Sequence, residues 1–267
     1  QGKVYPFKKG VTNYKNELKK HFPASADQKA IDDYVDLVFK VGNAAMSYFA
    51  SKALPKLLEM LIGKWMRRKY ARYYKKTTLE VLSSFIDNKE LIGVLAGQYG
   101  DYGLPPAQGS FAMHAMVVKH YMNGAAFPIG GSSRIADTVS NVIGKYGGCV
   151  LTNAEVSEIL VENNTAVGVK MADGKMYYAN AIVSGAGVFN TYQKLLPKAV
   201  QMEHGFPAKL QQIRPSAAHI GLYIGFQHSV KALGLNKANY WIYPDNYDHD
   251  ENMKNYLDNP EKDFPVV

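Results

Sequence analysis

An α+β architecture is expected for this 267-residue chain on three observations. The first third has helical hydrophobic spacing, the composition turns strand-like after Gly147, and turn signals divide the second part into short segments. With 47% hydrophobic and 20% charged residues, the chain has the make-up of a folded protein long enough for one large or two modest domains.

From about Asp27 to His120 the pattern is mainly helical. In "DQKAIDDYVDLVFKVGNAAMSYF", Ile31, Tyr34, Val35, Val38 and Phe39 share one helix face. Further helices follow, broken by Pro55, by Gly63 and by the turn-rich stretch at 97–109. In "FPIGGSSRIADTVSNVIGKYGG", Ile135, Val139, Val142, Ile143 and Tyr146 recur at helical spacing, with Ser132 or Ser133 as N-cap and Gly147-Gly148 at the C-terminal end. Next comes a meander of about three strands, "CVLTNAEVSEILV", "AVGVKM" and "KMYYANAIVS". Its hairpin turns fall at Asn163-Asn164 and Asp173-Gly174, and its last strand ends at Ser184-Gly185-Ala186-Gly187. A helix, "VFNTYQKLLP", starts at once and halts near Pro197, and "AAHIGLYIGFQ" and "NYWIYP" read as further strands.

The charge balance is 31 basic against 23 acidic residues, a net +8, and it is unevenly spread. Residues 245–263 are acid-rich, whereas Lys64–Lys76 holds seven basic residues and no acid, the pattern of a local docking face. Cys149 is the single cysteine, so no intrachain disulfide can form and a reducing compartment is expected, cytoplasmic or peripheral to a membrane. No apolar run reaches the roughly 18 residues of a spanning helix.

Two glycine turns are candidates for ligand contact. Gly130-Gly131 precedes a helix N-terminus, where free N–H groups and missing Cβ atoms favour an electron-rich ligand; an ordinary turn would use the same residues. In "AIVSGAGVFNTY", strand, glycine turn and helix follow in the order of a nucleotide-contacting segment, or of a plain structural connection. The dinucleotide fingerprint fails here, because position 190 is Asn where the third glycine belongs.

Together these pieces resemble the flavin-dependent phytoene desaturase, carotenoid isomerase and retinol saturase group of amine-oxidase-like flavoproteins. The resemblance is carried by "GLPP", "SFAMHA", the "FPIGG" loop, the Val156-x-x-Ile159 strand and "SGAGVFNTY". It implies an α+β chain of three segments: a mainly helical substrate-binding or lid region at 1–128, part of a FAD-binding domain at 129–200, and substrate-domain strands with a C-terminal helix at 201–267. It also implies the middle of a longer flavoprotein, with the dinucleotide-binding motif upstream, a second flavin-contacting segment downstream, and FAD not retained by these residues alone.

Residue by residue, the resemblance places the backbone of Val156 at the adenine end of FAD and Ser184, Gly185 and Ala186 near its diphosphate and ribose. Gly130 and Gly131 would lie beside the flavin ring, with Ser133 and Arg134 facing the substrate cavity. The two glycine turns would then converge on one cofactor. Arg134 would meet a polar substrate end or reduced flavin, unless it is simply a solvated helix residue. His114 would line the substrate tunnel, unless it is a packed core histidine. The implied chemistry is hydride transfer between FAD and a carbon–carbon bond of a hydrophobic isoprenoid or polyene, with NAD(P)H a possible electron donor. It needs no catalytic triad or metal, and no catalytic residue is singled out.

The basic helix 64–76 interleaves cations with aromatic residues, and Trp65, Arg67, Arg68 and Arg72 are candidates for peripheral membrane contact. A solvated helix is the alternative; nucleic acid is not expected, since no recognised nucleic-acid module accompanies the patch. A rival to the enzyme reading is a non-catalytic lipid-binding or membrane-docking module.

Overall fold

A computed structural model describes residues 2–213, 219–243 and 246–261. The chain divides into two compact units, Gln1–Ala126 with Ser216–Val267, and Phe127–Pro215.

The first unit is helical. α1 (Val11–His21) leads into α2 (Ser25–Lys52), which buries Ile31, Tyr34, Val35, Val38, Val41 and Ala45 along one side, the spacing expected of its sequence. A short helix, α3 (Lys56–Leu58), runs through a π turn at Glu59–Gly63 into α4 (Lys64–Tyr74). α4 packs on α2 through rings, Tyr48 lying 4.7 Å from Tyr70 and 6.0 Å from Tyr74.

α5 (Thr78–Leu82) opens on a full capping box: Thr77 Oγ1 accepts from the Glu80 N–H at 3.1 Å and Glu80 Oε2 accepts from the Thr77 N–H at 2.7 Å. α6 (Lys89–Ala96) is capped by Asn88, and α7 (Phe111–Tyr121) inserts Phe111, Ala112, Ala115 and Val118 into the core. The later residues close on the same core. α11 (His249–Asp258) places His249 against α6, where its Nε2 donates to the Gly93 carbonyl at 2.8 Å. Gly93 is required at that approach, because a Cβ would overlap the Tyr247 backbone.

The second unit begins with α8 (Ser133–Lys145), which ends in a Schellman motif: Gly148 N–H donates to Ile143 O and Gly147 N–H to Gly144 O, both at 3.0 Å, with Gly147 at φ 77°. Its apolar stripe is uncovered, Ile135, Val139, Val142 and Tyr146 each being more than half exposed.

Three antiparallel strands follow in the order β1 (Val156–Glu162), β2 (Thr165–Met171), β3 (Met176–Tyr178). Asn163 and Asn164 both adopt positive φ at the first turn, and Gly174 does so at the second, where Asp173 Oδ1 accepts from the Lys175 N–H at 3.0 Å. A helical segment with a π turn at Asn190–Leu195, then α9 (Lys198–Glu203) and α10 (Phe206–Gln211), complete this unit. Tyr192 meets Phe206 at 4.6 Å, and Gln201 Nε2 donates to the carbonyls of Gln193 and Leu196, so α9 and α10 pack with the segment 190–196.

Several expectations are corrected. The third strand ends at Tyr178, and 181–184 pairs with no strand among the described residues, with Val183 almost fully exposed. Residues 219–227 and 239–243 are likewise not strands; the parts of those segments at 217–218 and 244 lie outside the described residues. Strand propensity is realised only against a neighbour that accepts the ladder, and among the described residues none of these stretches has one. Ser132 stands at the N-cap of α8 with helical backbone angles, and its side chain caps nothing.

Candidate functional site

In the second unit, a cavity of about 560 Å³ lies where β1 and β2 meet the segment 182–196. Ile159, Ala166, Ile182 and Leu196 make it apolar, and Ser184 and Thr191 add hydroxyls. Among the described residues, no charged side chain lines it.

The turn on its rim is held by its own hydrogen bonds. Ser184 Oγ and Thr191 Oγ1 are 2.6 Å apart, the Thr191 N–H donates to Gly187 O at 3.0 Å, and Gly187 sits at φ 85°. Asn190, the residue that breaks the dinucleotide fingerprint, ties the turn by donating from Nδ2 to Ala186 O at 2.9 Å. A Cβ added at Gly185 or Gly187 would meet nothing within 4 Å, so the backbone there is open to close approach by a flat or phosphate-bearing group. A cavity with apolar walls, two hydroxyls and bare backbone can hold an extended, largely neutral ligand while offering N–H groups to an anionic part of it.

Of the anticipated cofactor residues, Ser184 and Gly185 line this cavity. Gly130, Gly131, Val156 and Ala186 belong to the same unit but are not among its lining residues. Gly130 and Gly131 both adopt φ near 90°, which explains the glycines; a Cβ at Gly130 would press on Arg134 Cγ at 3.2 Å, and one at Gly131 would stand in open space. Ser133 and Arg134 are exposed on the first turn of α8, with Arg134 Nη1 3.5 Å from Asp137 Oδ2. Val156 starts β1 opposite Met171.

The remaining sites fall in the first unit. His114 is fully buried in α7, its Nε2 2.8 Å from Tyr34 Oη and its Nδ1 3.2 Å from Tyr102 Oη. Burial pushes its pKa down to about 3, so the ring is neutral, and each nitrogen has a tyrosine hydroxyl as partner. Burial likewise raises both tyrosines, which stay protonated.

On α4, Trp65 is exposed, Arg67 pairs with Glu59 at 2.6 Å, and Arg68 and Arg72 face solvent while Tyr70 is buried. The sequence reading missed the apolar turn beside it. Leu57, Leu58, Met60, Leu61 and Ile62 are exposed, and the signal was available in "KLLEMLIG", whose apolar residues surround the helix instead of keeping to one face. It also missed Thr191, which stands seven residues after Ser184 and closes the turn onto it.

No family model matches the chain. Curated relatives do. The all-trans-retinol 13,14-reductase of Danio rerio is 36% identical over 262 residues, covering 95% of this chain and 43% of that protein. The Homo sapiens protein of the same name is 33% identical over 269 residues, covering 98% of this chain and 44% of its own. A phytoene desaturase (lycopene-forming) from Pantoea ananas is 28% identical over 240 residues, or 85% of this chain and 45% of that one. The chain therefore spans less than half the length of the relatives it matches. Over the stretch it shares with them, it belongs to the family of the all-trans-retinol 13,14-reductases, with the phytoene desaturases as more distant kin.

Proposed function

We propose that the chain forms part of a FAD-dependent oxidoreductase acting on a carbon–carbon double bond of a hydrophobic isoprenoid or polyene, with NAD(P)H as a candidate electron donor. The observation that carries this reading is the kinship itself: identity of 36% runs through both units, across 95% of the chain, to a protein named for reducing a retinol double bond.

The second unit fits the cofactor at one edge. Gly185 and Gly187 leave the backbone bare beside a cavity that a planar or phosphate-linked group could enter, and Ser184 and Thr191 offer hydroxyls there. In this reading the turn 184–187 holds the diphosphate and ribose side of FAD, the backbone of Val156 faces its adenine end, and Gly130 and Gly131 lie beside the ring. Ser133 and Arg134 then border the substrate. A bound flavin supplies hydride chemistry at the carbon–carbon bond; the chain's own part is to orient the partners and keep water from them.

The test is spectroscopic. The full-length protein of which the chain forms part should carry flavin absorbance that bleaches on reduction, and Gly185→Val in it should lower the flavin retained while leaving the circular dichroism of the fold intact. A colourless full-length protein that takes up no added FAD, and consumes no all-trans-retinol with a reductant present, would overturn the reading in favour of a binding module.

A further inference from the structure

We infer that the turn joining α2 to α4 is a membrane-inserting tip, and that its occupant is the surface of a bilayer containing anionic phospholipid. This inference stands on surface chemistry and not on the redox reading above.

The first observation is apolar exposure. Leu57, Leu58, Met60, Leu61, Ile62 and Trp65 are between 44% and 76% exposed, and they crowd into nine residues of one short helical stretch. Single exposed apolar residues are ordinary on a protein surface, but a contiguous cluster marks a surface with a partner. Met46 and Phe49, both at least half exposed near the end of α2, add to the apolar surface on the neighbouring helix.

The second observation is charge, and it selects the partner. Residues 52–76 hold nine basic residues and one acid, a net +8, which equals the excess of the entire chain. Outside this segment the chain is balanced, with 22 residues of each sign. The one acid, Glu59, is held by Arg67 at 2.6 Å, so it offsets a cation that is already paired. Arg68 and Arg72 are exposed on α4, as are Lys75 and Lys76 just past its C-terminal end, while Tyr70 is buried.

An apolar cap with a cationic collar matches a leaflet in cross-section, hydrocarbon below and phosphate at the rim. Trp65, amphipathic and 76% exposed between the two zones, stands at the level where tryptophan prefers to sit. A protein partner would need both a large apolar patch and an acidic frame of the same outline. No helix among the described residues is long and apolar enough to cross a membrane, so the contact is insertion from one side. Each basic residue brought to an anionic surface contributes about a fivefold gain in partitioning, so a collar of four to six has a large summed effect at low salt.

The chain's two tryptophans, Trp65 and Trp241, make the test direct. In a Trp241→Phe background, the 267-residue chain is mixed with vesicles of phosphatidylcholine, with and without roughly one-third phosphatidylserine. The expected result is sedimentation with the anionic vesicles, a blue shift of Trp65 emission, and stronger quenching by lipids brominated near the headgroup than near the bilayer centre.

The double change Leu57→Asp with Leu61→Asp should lower partitioning more than about tenfold with unchanged circular dichroism. Arg68→Glu with Arg72→Glu should abolish the preference for phosphatidylserine. The inference is overturned if the aspartate variant sediments like its parent, or if Trp65 is neither shifted nor quenched in the bound protein. It is also overturned if the parent is a dimer that the aspartate change splits without altering sedimentation, which would make the turn a contact between copies. Because the readout needs neither flavin nor turnover, it can fail while the oxidoreductase reading survives, and the reverse.

Discussion

Replacing His114 with glutamine should make the first unit less sensitive to mild acid. His114 is fully buried and its ring is held neutral, with a pKa near 3 against about 6.5 in the unfolded chain. The folded state therefore refuses a proton that the unfolded state accepts, so stability present above about pH 6.5 is lost as pH falls toward about 3. The loss approaches 1.4 kcal/mol per pH unit, which gives about 2 kcal/mol between pH 7 and pH 5 from this one residue. Glutamine keeps a donor and an acceptor for Tyr34 and Tyr102 but does not titrate. It should lower stability at neutral pH yet flatten the slope by about that amount.

Urea titrations followed by tryptophan fluorescence isolate the effect, since Trp65 and Trp241 both belong to the first unit. His249, also lowered by burial, contributes to parent and variant alike and cancels in the difference. Equal pH slopes in the two proteins would show that the ring is solvated or charged in the fold, and the packing described for α7 would be wrong.

Two further outcomes are expected. Gly168→Ala should destabilise the meander by about 1–3 kcal/mol, because the added methyl would overlap the Tyr177 carbonyl on β3; hydrogen exchange in β1 and β2 should quicken, and unchanged protection would refute the pairing. Thr77→Ala should cost the first unit about 1 kcal/mol in the same urea assay by removing half of the capping box, whereas Thr77→Ser should be nearly silent; equal losses from both would show that the methyl group, not the hydroxyl, matters.

How much of this could be read in the sequence depended on whether the information was local. The buried side of α2, the Gly147-Gly148 ending of α8 and both hairpin turns follow from spacing and from residues that tolerate positive φ, and each formed where the residues pointed. The stretches 181–184 and 219–227 have strand-forming composition too, but pairing is not a local property, and they stay unpaired among the described residues. His114 shows the same limit from the other side: the helix around it was legible, but its two tyrosine partners come from α2 and from the loop before α7. Ser184 and Gly185 were legible as a turn, whereas Thr191 joins them at the cavity only through the bend that Asn190 helps to fix.

The first unit is assembled from two separated stretches of chain, with the whole of the second unit lying between them in sequence. Its closing contacts, His249 on Gly93 and the Asp250 carboxylate on the Ala107 N–H, join residues 156 and 143 positions apart. On the ribosome, α6 must therefore wait with its docking surface bare until the intervening residues and α11 have been made. A protease that nicks the connections would leave α11 held by these bonds and the packing of the His249 ring on Tyr99, so its retention on a gel-filtration column would report the strength of its non-covalent docking.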